Sequence, residues 1–569
     1  MIEFKKETKL DLDIKKYRKI TFALSIARLI IVLTLIVFLI CLFSLGDYIT
    51  YGILSISIFI LFIIFVLFTN KYYKKYNLLL KRKQVYSNHN NRRNLNLNML
   101  HDTGNEFINK DDYKISDLDL FGKNSLFQYL NVGKTYYGRK LLAKQLTDPY
   151  KMNSDFTKLV YDFSNNEDSL EMEAALLEFK YSAYGLSPDE IISIINSKIK
   201  FKLSFFFPLL SFIGMIFYLI GIFTLKFPIP YIVIFIVLNV IFSFIFLKND
   251  VYQEPNSKYH TLLLAYKELY TTIKKININN SYLLNLLDEI NPEIPSLKSA
   301  IHLFSFLTMR DNIIFRIISN ALFVMDFWGI LIFNHLVNKK YTLNSLFKNT
   351  AIIECALSLS IIGIDNKIYT IPTESIEIEA INLFHPLVKN CVPNSITFKG
   401  GIILTGSNMS GKTTFMRTLG INQILKNAGG LVLAESYKAP FLTVLTSLRC
   451  NDMLEEGVST FYAEILRMKK MNKAIKENKT LLLVDEIFKG TNQEERLQAS
   501  FKVISLFNQY NSFFIISTHD NQLCTSSNIV NYHFNEEYIN DKITFDYKIK
   551  EGICESKNAL YLLKLADIL

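Results

Sequence analysis

Four long apolar runs, set as two close pairs, restrict this chain more than any other feature. Thr21 to Leu45 is about 25 residues and Tyr48 to Thr69 about 22, each long enough at ~1.5 Å per residue to cross a ~30 Å hydrocarbon layer as a helix. Only Gly46 and Asp47 separate them, so they form a tight hairpin. Phe205 to Leu225 and Tyr231 to Leu247 make a second pair, split by Lys226-Phe227-Pro228-Ile229-Pro230, where two prolines break the helix at the turn. Arg28 is the charge in the first run, close enough to its end to snorkel to the interface. The alternative is a large soluble core, but nearly uncharged runs of this length are hard to bury that way.

Basic flanks orient both pairs. Lys15, Lys16, Arg18 and Lys19 precede the first, and Lys71, Lys74, Lys75, Lys81, Arg82 and Lys83 follow it. Lys198, Lys200 and Lys202 precede the second and Lys248 follows it, which keeps all flanks and both termini in the cytoplasm of a four-helix, multi-pass protein. A fifth apolar stretch, Ile318 to Val337, carries Asp326 at its centre, a costly position in lipid, and reads as one long buried helix of the soluble part. The net charge of +11 suits an anionic membrane surface as well as nucleic acid. Six scattered cysteines without a C-x-x-C pair argue for reduced thiols rather than a disulfide framework or zinc site.

The remaining texture divides the chain further. Residues 1–20 are a cytoplasmic N-terminus, 21–69 the first hairpin, and 70–114 a basic and polar linker whose 86–112 portion is Asn-rich. Helical spacing resumes at 115–203 and again at 249–366, on either side of the second hairpin at 204–248. From 367 to 569 short β-branched runs alternate with helical ones, the pattern of a mostly parallel sheet covered by helices. The expected architecture is multidomain: α-helical membrane hairpins and a helical lever region, plus a C-terminal α/β P-loop NTPase domain.

Chemistry concentrates in that last domain. Gly406-Ser407-Asn408-Met409-Ser410-Gly411-Lys412-Thr413, with Thr414 behind it, fits G-x-x-x-x-G-K-[ST] between an apolar strand and a helix. Its glycines let backbone amides turn inward around phosphates, Lys412 supplies charge for the β- and γ-phosphates, and the Thr413 hydroxyl can ligate Mg²⁺. Leu481 to Val484 is a buried strand ending in Asp485-Glu486, where Asp485 holds Mg²⁺ through water and Glu486 orients or deprotonates the attacking water. His519, after the strand Ser512 to Ser517, is placed to sense a γ-phosphate. Ser459 opens Ser459-Thr460-Phe461-Tyr462-Ala463-Glu464 as a helix N-cap. That cap is either purely structural or an offer of amides to a phosphate, in the latter case one bound by another subunit.

Together these segments resemble the MutS family of DNA mismatch repair ATPases, a branch of the ABC-type fold. The resemblance rests on TGSNMSGKTTFMR with its Asn408-Met409 pair, STFYAE at 459–464, LVDEIFKGTN at 483–492, THD at 518–520 and His385-Pro386 upstream. The closing EGICESKNALYLLKLADIL resembles that family's final helix, and LFGKNSLFQYLNVGKTYYGRKLLAKQLTDP at 120–149 the opening of its lever domain. It implies ATP and Mg²⁺ as cofactors, and a homodimer in which Ser459 of one subunit faces the nucleotide held by Lys412 of the other. It also implies levers that grip DNA. The chain departs from the family at Ile487-Phe488-Lys489-Gly490, where Ile-Gly-Arg-Gly is usual, and shows neither a mismatch-reading domain nor an F-x-E wedge. The expectation is therefore a membrane-anchored MutS-like ATPase that binds DNA. Two alternatives stay open: a membrane-embedded ABC-type ATPase acting on a membrane or protein partner without DNA, and a slowly hydrolysing scaffold.

Overall fold

The computed structural model describes residues 7–554 apart from 46–47, 180–188, 191, 194–201, 248–256, 311, 338–341, 408, 450–459, 489–491, 526–528 and 540–541. Helix α1 (Glu7–Leu45) packs along α2 (Tyr48–Arg93), and their polar ends are tied by Lys83 Nζ to Asp11 at 2.7 Å and by a tilted Tyr17–Tyr72 ring pair. Over the apolar lengths the outward faces, among them Leu29, Leu33, Ile40, Ile60 and Leu67, are bare. None of the most apolar window of α1 is buried and 11% of that of α2 is, although both helices have the length and composition to cross a membrane.

The segment expected to be a linker, 70–114, is structured. α2 continues unbroken to Arg93, and the residues after it are pinned to the core. His89, wholly buried, bridges Asp365 (2.9 Å) and Glu173 (3.0 Å), and Arg93 Nε reaches Asp365 at 2.9 Å. Further on, Asp102 accepts two 2.7 Å bonds from Arg139, and the Gln128 amide donates to the Leu97 and Leu100 carbonyls. Polarity that reads as a solvated linker is instead spent on buried partners far away in the chain.

Short helices α3 (Tyr113–Asp117), α4 (Leu126–Leu130), α5 (Tyr136–Thr147), α6 (Ser154–Asn165) and α7 (Ser169–Leu176) wrap the core. Thr135 and Asn153 cap α5 and α6, their side chains accepting the Gly138 and Phe156 amides. The second apolar pair forms α8 (Phe206–Thr224) and α9 (Ile232–Phe246), with the proline-bearing turn between; α8 lies in a candidate span, whereas α9, at 15 residues, is shorter than the crossing helix expected there. Helices α10 (Ser257–Lys275), α11 (Ser281–Ile290) and α12 (Ile294–Arg310) follow.

The fifth apolar stretch is neither one helix nor buried throughout. It divides at Val324, which takes the left-handed φ of 43°, into α13 (Ile313–Phe323) and α14 (Met325–Val337), set at 94° to each other. Ile314, Ile318, Phe323 and Ile332 face outward, while Val324, Phe327, Ile330 and Phe333 are buried. The long buried helix of this region is the next one, α15 (Asn344–Asp365), nearly all of which lies inside the core.

Two sheets build the C-terminal domain. β1 (Ile378–Leu383) pairs antiparallel with β2 (Asn394–Phe398) and with β4 (Ser436–Lys438). The larger sheet has the order β5-β6-β7-β3-β8-β9, with β3 (Gly401–Gly406), β5 (Thr443–Ser447), β6 (Thr480–Asp485), β7 (Phe513–Ser517), β8 (Ile529–Ile539) and β9 (Lys542–Glu551). All neighbours are parallel except β8 and β9. Helices α16 (Lys412–Asn427), α17 (Thr460–Glu477) and α18 (Gln493–Gln509) join the strands. β3 and β7 are buried at every residue, as expected of strands covered on both faces.

Candidate nucleotide site

The carboxyl ends of β3, β6 and β7 lie side by side, the place where open parallel sheets bind ligands. β3 delivers the chain into the loop 406–411, which turns back through Gly406 (φ 142°), Met409 (φ 69°) and Gly411 (φ 109°) before α16 begins at Lys412. A Cβ on Gly406 would lie 2.7 Å from the Phe534 carbonyl oxygen, so this position requires glycine on space as well as on φ. Lys412 is 6% exposed, and its ammonium curls over the loop, donating to the Gly406 and Ser407 carbonyls at 2.7 and 2.8 Å. Ser410 closes the turn through its hydroxyl to the Ser407 carbonyl at 2.8 Å.

Register does the rest. Asp485, the last residue of β6, stands opposite Ser517 of β7, and the Ser517 hydroxyl donates to Asp485 Oδ1. From the other side the Thr413 hydroxyl donates to Asp485 Oδ2 at 2.8 Å. One carboxylate thus links the first turn of the P-loop helix to the central strands. Glu486 follows at φ 55°, a left-handed position that a glutamate adopts at some cost, and its amide donates to the Ser517 carbonyl at 3.0 Å. Its side chain meets His519 Nε2 at 3.0 Å. Lys412, Thr413, Asp485, Glu486 and His519, distant in sequence, are therefore one constellation.

That donor set fits a nucleoside triphosphate with Mg²⁺. The loop leads into a helix N-terminus, the Lys412 ammonium sits on the loop, the Ser407 hydroxyl is buried without a hydrogen-bond partner, and Thr413 with Asp485 forms a hard-oxygen pair. Among the described residues no cluster of three or more His, Cys, Asp or Glu could hold a metal alone. Mg²⁺ held there by Thr413 and Asp485 would supply charge neutralisation on phosphate oxygens. Asn408, Ser459, the 489–491 part of the segment after Asp485-Glu486, and the chain end from 555 lie outside the described residues. Met409 is exposed and Thr414 points to solvent beside the loop. His385 is buried. Burial, helped by the charge of Arg417, pushes it down to about 4, and its Nδ1 accepts the Leu387 amide in a local turn.

A joint between this domain and the helical core has no sequence signature. Asp117, fully buried at the end of α3, accepts the Thr446 hydroxyl (2.8 Å), the Leu448 and Arg449 amides (2.9 and 3.2 Å) and Arg467 Nη1 (3.3 Å). Arg467 belongs to α17, the helix that follows Ser459. Asp119 accepts from Arg449 and from Arg417 of α16. Helices α16 and α17 are thereby tied, directly or through Arg449, to two acids of the 117–119 segment.

Strand order, loop and carboxylate together define the class: a P-loop NTPase domain with a mostly parallel sheet. Within that class, residues 402–568 match the family model MutS domain V, an ATPase domain. The chain is 29% identical over 253 residues to DNA mismatch repair protein MSH3 of Vanderwaltozyma polyspora, covering 41% of this chain and 24% of that protein. It is 32% identical over 180 residues to MutS protein homolog 4 of Mus musculus (29% and 18%). With DNA mismatch repair protein MutS of Streptococcus mutans it shares 29% over 243 residues (40% and 28%). The matched part spans only about a quarter of the length of these relatives.

Proposed function

We propose that this chain is a membrane-anchored MutS-type ATPase that binds and hydrolyses ATP with Mg²⁺, and uses the cycle to move its helical core against DNA. The observation that carries the ATPase is the meeting of Lys412, Thr413, Asp485 and Glu486 at one sheet edge. In this reading Gly406 to Thr414 cradle the phosphates, and Thr413 and Asp485 hold Mg²⁺, Asp485 through water. Glu486 positions or deprotonates the attacking water while His519 holds Glu486 and senses the γ-phosphate. Ser459 completes the site of a second copy, which makes the working unit a homodimer. DNA as the partner is supported by the relatives, whose names are those of mismatch repair proteins. Membrane anchoring through four helices, with the ATPase domain cytoplasmic, is supported by the bare apolar faces of α1 and α2 and the basic residues at their ends.

A second reading, action on the membrane or a protein partner without DNA, draws support from α2. That helix runs without a break from the apolar hairpin to the His89 cluster at Asp365, the last residue of α15, close before the ATPase domain. Turnover of the purified chain with no DNA, perfect duplex, mismatched duplex and branched DNA, at two salt concentrations, separates the two. Binding through phosphate contacts weakens as salt rises. Stimulation by DNA that fades with salt is the expected result; indifference to every DNA leaves the second reading. Lys412→Ala and Glu486→Gln should each abolish turnover, and if neither does the site assignment is wrong.

A further inference from the structure

We infer that α13 and α14 are a fifth lipid-facing element, a re-entrant pair that dips into the bilayer beside the second hairpin and returns to the cytoplasmic side. The inference rests on the membrane reading above and extends it to a segment whose central aspartate argues against lipid. Three observations carry it. The first is length. At ~1.5 Å per residue α13, with 11 residues, is about 17 Å long and α14, with 13, about 20 Å, both short of a ~30 Å hydrocarbon layer. The 94° bend sets them across each other rather than end to end, so their lengths do not add along one axis. α12 before them and α15 after them both contribute to the helical core, and α14 rests on the same core through Phe327, Ile330 and Phe333, so the pair lies along the core's flank with its other face turned away.

The second is the fate of the charges. Between residues 312 and 337 the formal charges are Arg316 and Asp326, and they neutralise each other across the bend, Arg316 Nε to Asp326 Oδ2 at 3.0 Å. The aspartate is 4% exposed and its amide donates to the Asn320 side chain at 2.8 Å, so the costly carboxylate faces protein. The third is continuity with the second hairpin. The Arg316 guanidinium lies 4.1 Å over the Phe244 ring of α9, buried Asn239 of α9 donates to the Ala321 carbonyl at 3.1 Å, and Phe206 of α8 stacks near Phe327. Apart from partly buried Arg316, paired with Asp326, and exposed His335 in the last turn of α14, the outward surface is apolar, with Ile314, Ile318, Phe323, Trp328 and Ile332 on it. That surface adjoins the hairpin and matches it in chemistry, so the occupant that fits is lipid hydrocarbon.

The chain carries a single tryptophan, Trp328, which is 41% exposed on α14, so the native protein reports on this surface. The full chain is reconstituted in phosphatidylcholine vesicles with acyl chains brominated or plain, and Trp328 emission is followed with and without aqueous iodide. Strong quenching by the brominated chains and little by iodide is the expected result. Vesicle flotation with quenching by iodide alone overturns the inference, since the surface is then in water. Flotation with quenching by neither also overturns it, because the surface is then covered by protein such as a second copy. A Trp328→Phe chain carrying Leu33→Trp reads the first hairpin independently. If that tryptophan escapes the brominated chains and the protein fails to float, the membrane reading itself has failed, a different outcome from losing α13 and α14 alone.

Discussion

Helices α1 and α15 are both long and apolar enough to cross a membrane, yet the protein uses them in opposite ways. In the most apolar window of α1 nothing is buried, whereas 89% of that of α15 is. Mean hydropathy, 2.8 against 1.4, separates them only in degree. Their polar side chains separate them in kind. On the exposed hairpin Thr34 and Ser57 bond to carbonyls of their own helix, at Ile31 (2.8 Å) and Ile53 (2.9 Å). On α15 several reach other segments. Asn349 donates to the Leu286 carbonyl, Glu354 accepts the Lys134 and Thr135 amides, Ser358 accepts the Val132 amide, and Asp365 binds His89. A helix bound for lipid satisfies its polar groups locally, because nothing beyond it can; a helix bound for a protein core uses them to fix its neighbours.

Glu354 breaks this contrast most severely if it is wrong. Its carboxylate is the acceptor for two backbone amides at the entrance to α5, at 2.9 and 3.1 Å. Burial pushes the group up to about 7, against the hydrogen bonds from Thr135 and Lys134 that favour the charged form. Glu354→Ala leaves both amides without a partner and should cost about 3–5 kcal/mol in thermal or denaturant unfolding of the core. Glu354→Gln keeps an acceptor oxygen and should recover most of that loss. Equal losses would show that the side chain acts by volume alone.

The clamp between α2 and α15 carries a pH signature. Burial alone would discharge His89, but the Asp365 and Glu173 carboxylates on either side overcome it and raise the imidazole to about 9. A group raised above its ordinary 6.5 contributes stability that is fully present below that value and is lost as pH rises through about 9. Core melting temperature should therefore fall between pH 7 and 9.5, and His89→Gln should start lower and fall less over the same window. A wild-type profile as flat as the variant's would remove the charged clamp.

These cases mark how far the chain could be read from its residues. The phosphate loop and the Asp485-Glu486 pair were legible because each is a short contiguous motif whose strand and helix context is local. The two hairpins were visible as runs for the same reason. Asp117 was not, since its partners lie more than 300 residues away and an acid after a helical turn looks like any solvated one. The Asn-rich stretch from 86 misled in the same manner: His89 and Arg92 are polar by type but buried by partner, 276 residues away in the case of His89 and Asp365. The break at Val324 escaped because no proline or glycine marks it. The left-handed turn there falls on a β-branched residue, held by the Asn320 and Asp326 contacts around it.

The smallest effect gives the sharpest form of the contrast, because one substitution can be made in both settings. Ser358→Ala on α15 removes the acceptor of the buried Val132 amide at 3.2 Å and should cost about 1–3 kcal/mol. Ser57→Ala on α2 removes a hydroxyl that bonds its own helix on an outward face, and should change stability by less than about 0.5 kcal/mol. The deleted atom is the same and both sites are helical, so the change in helix propensity largely cancels between the variants. What remains is whether the hydroxyl served another segment. Melting both variants in the same detergent checks this directly: matched losses would mean that α2 is packed against protein along that face, and the division between an exposed hairpin and a buried core helix would have to be redrawn.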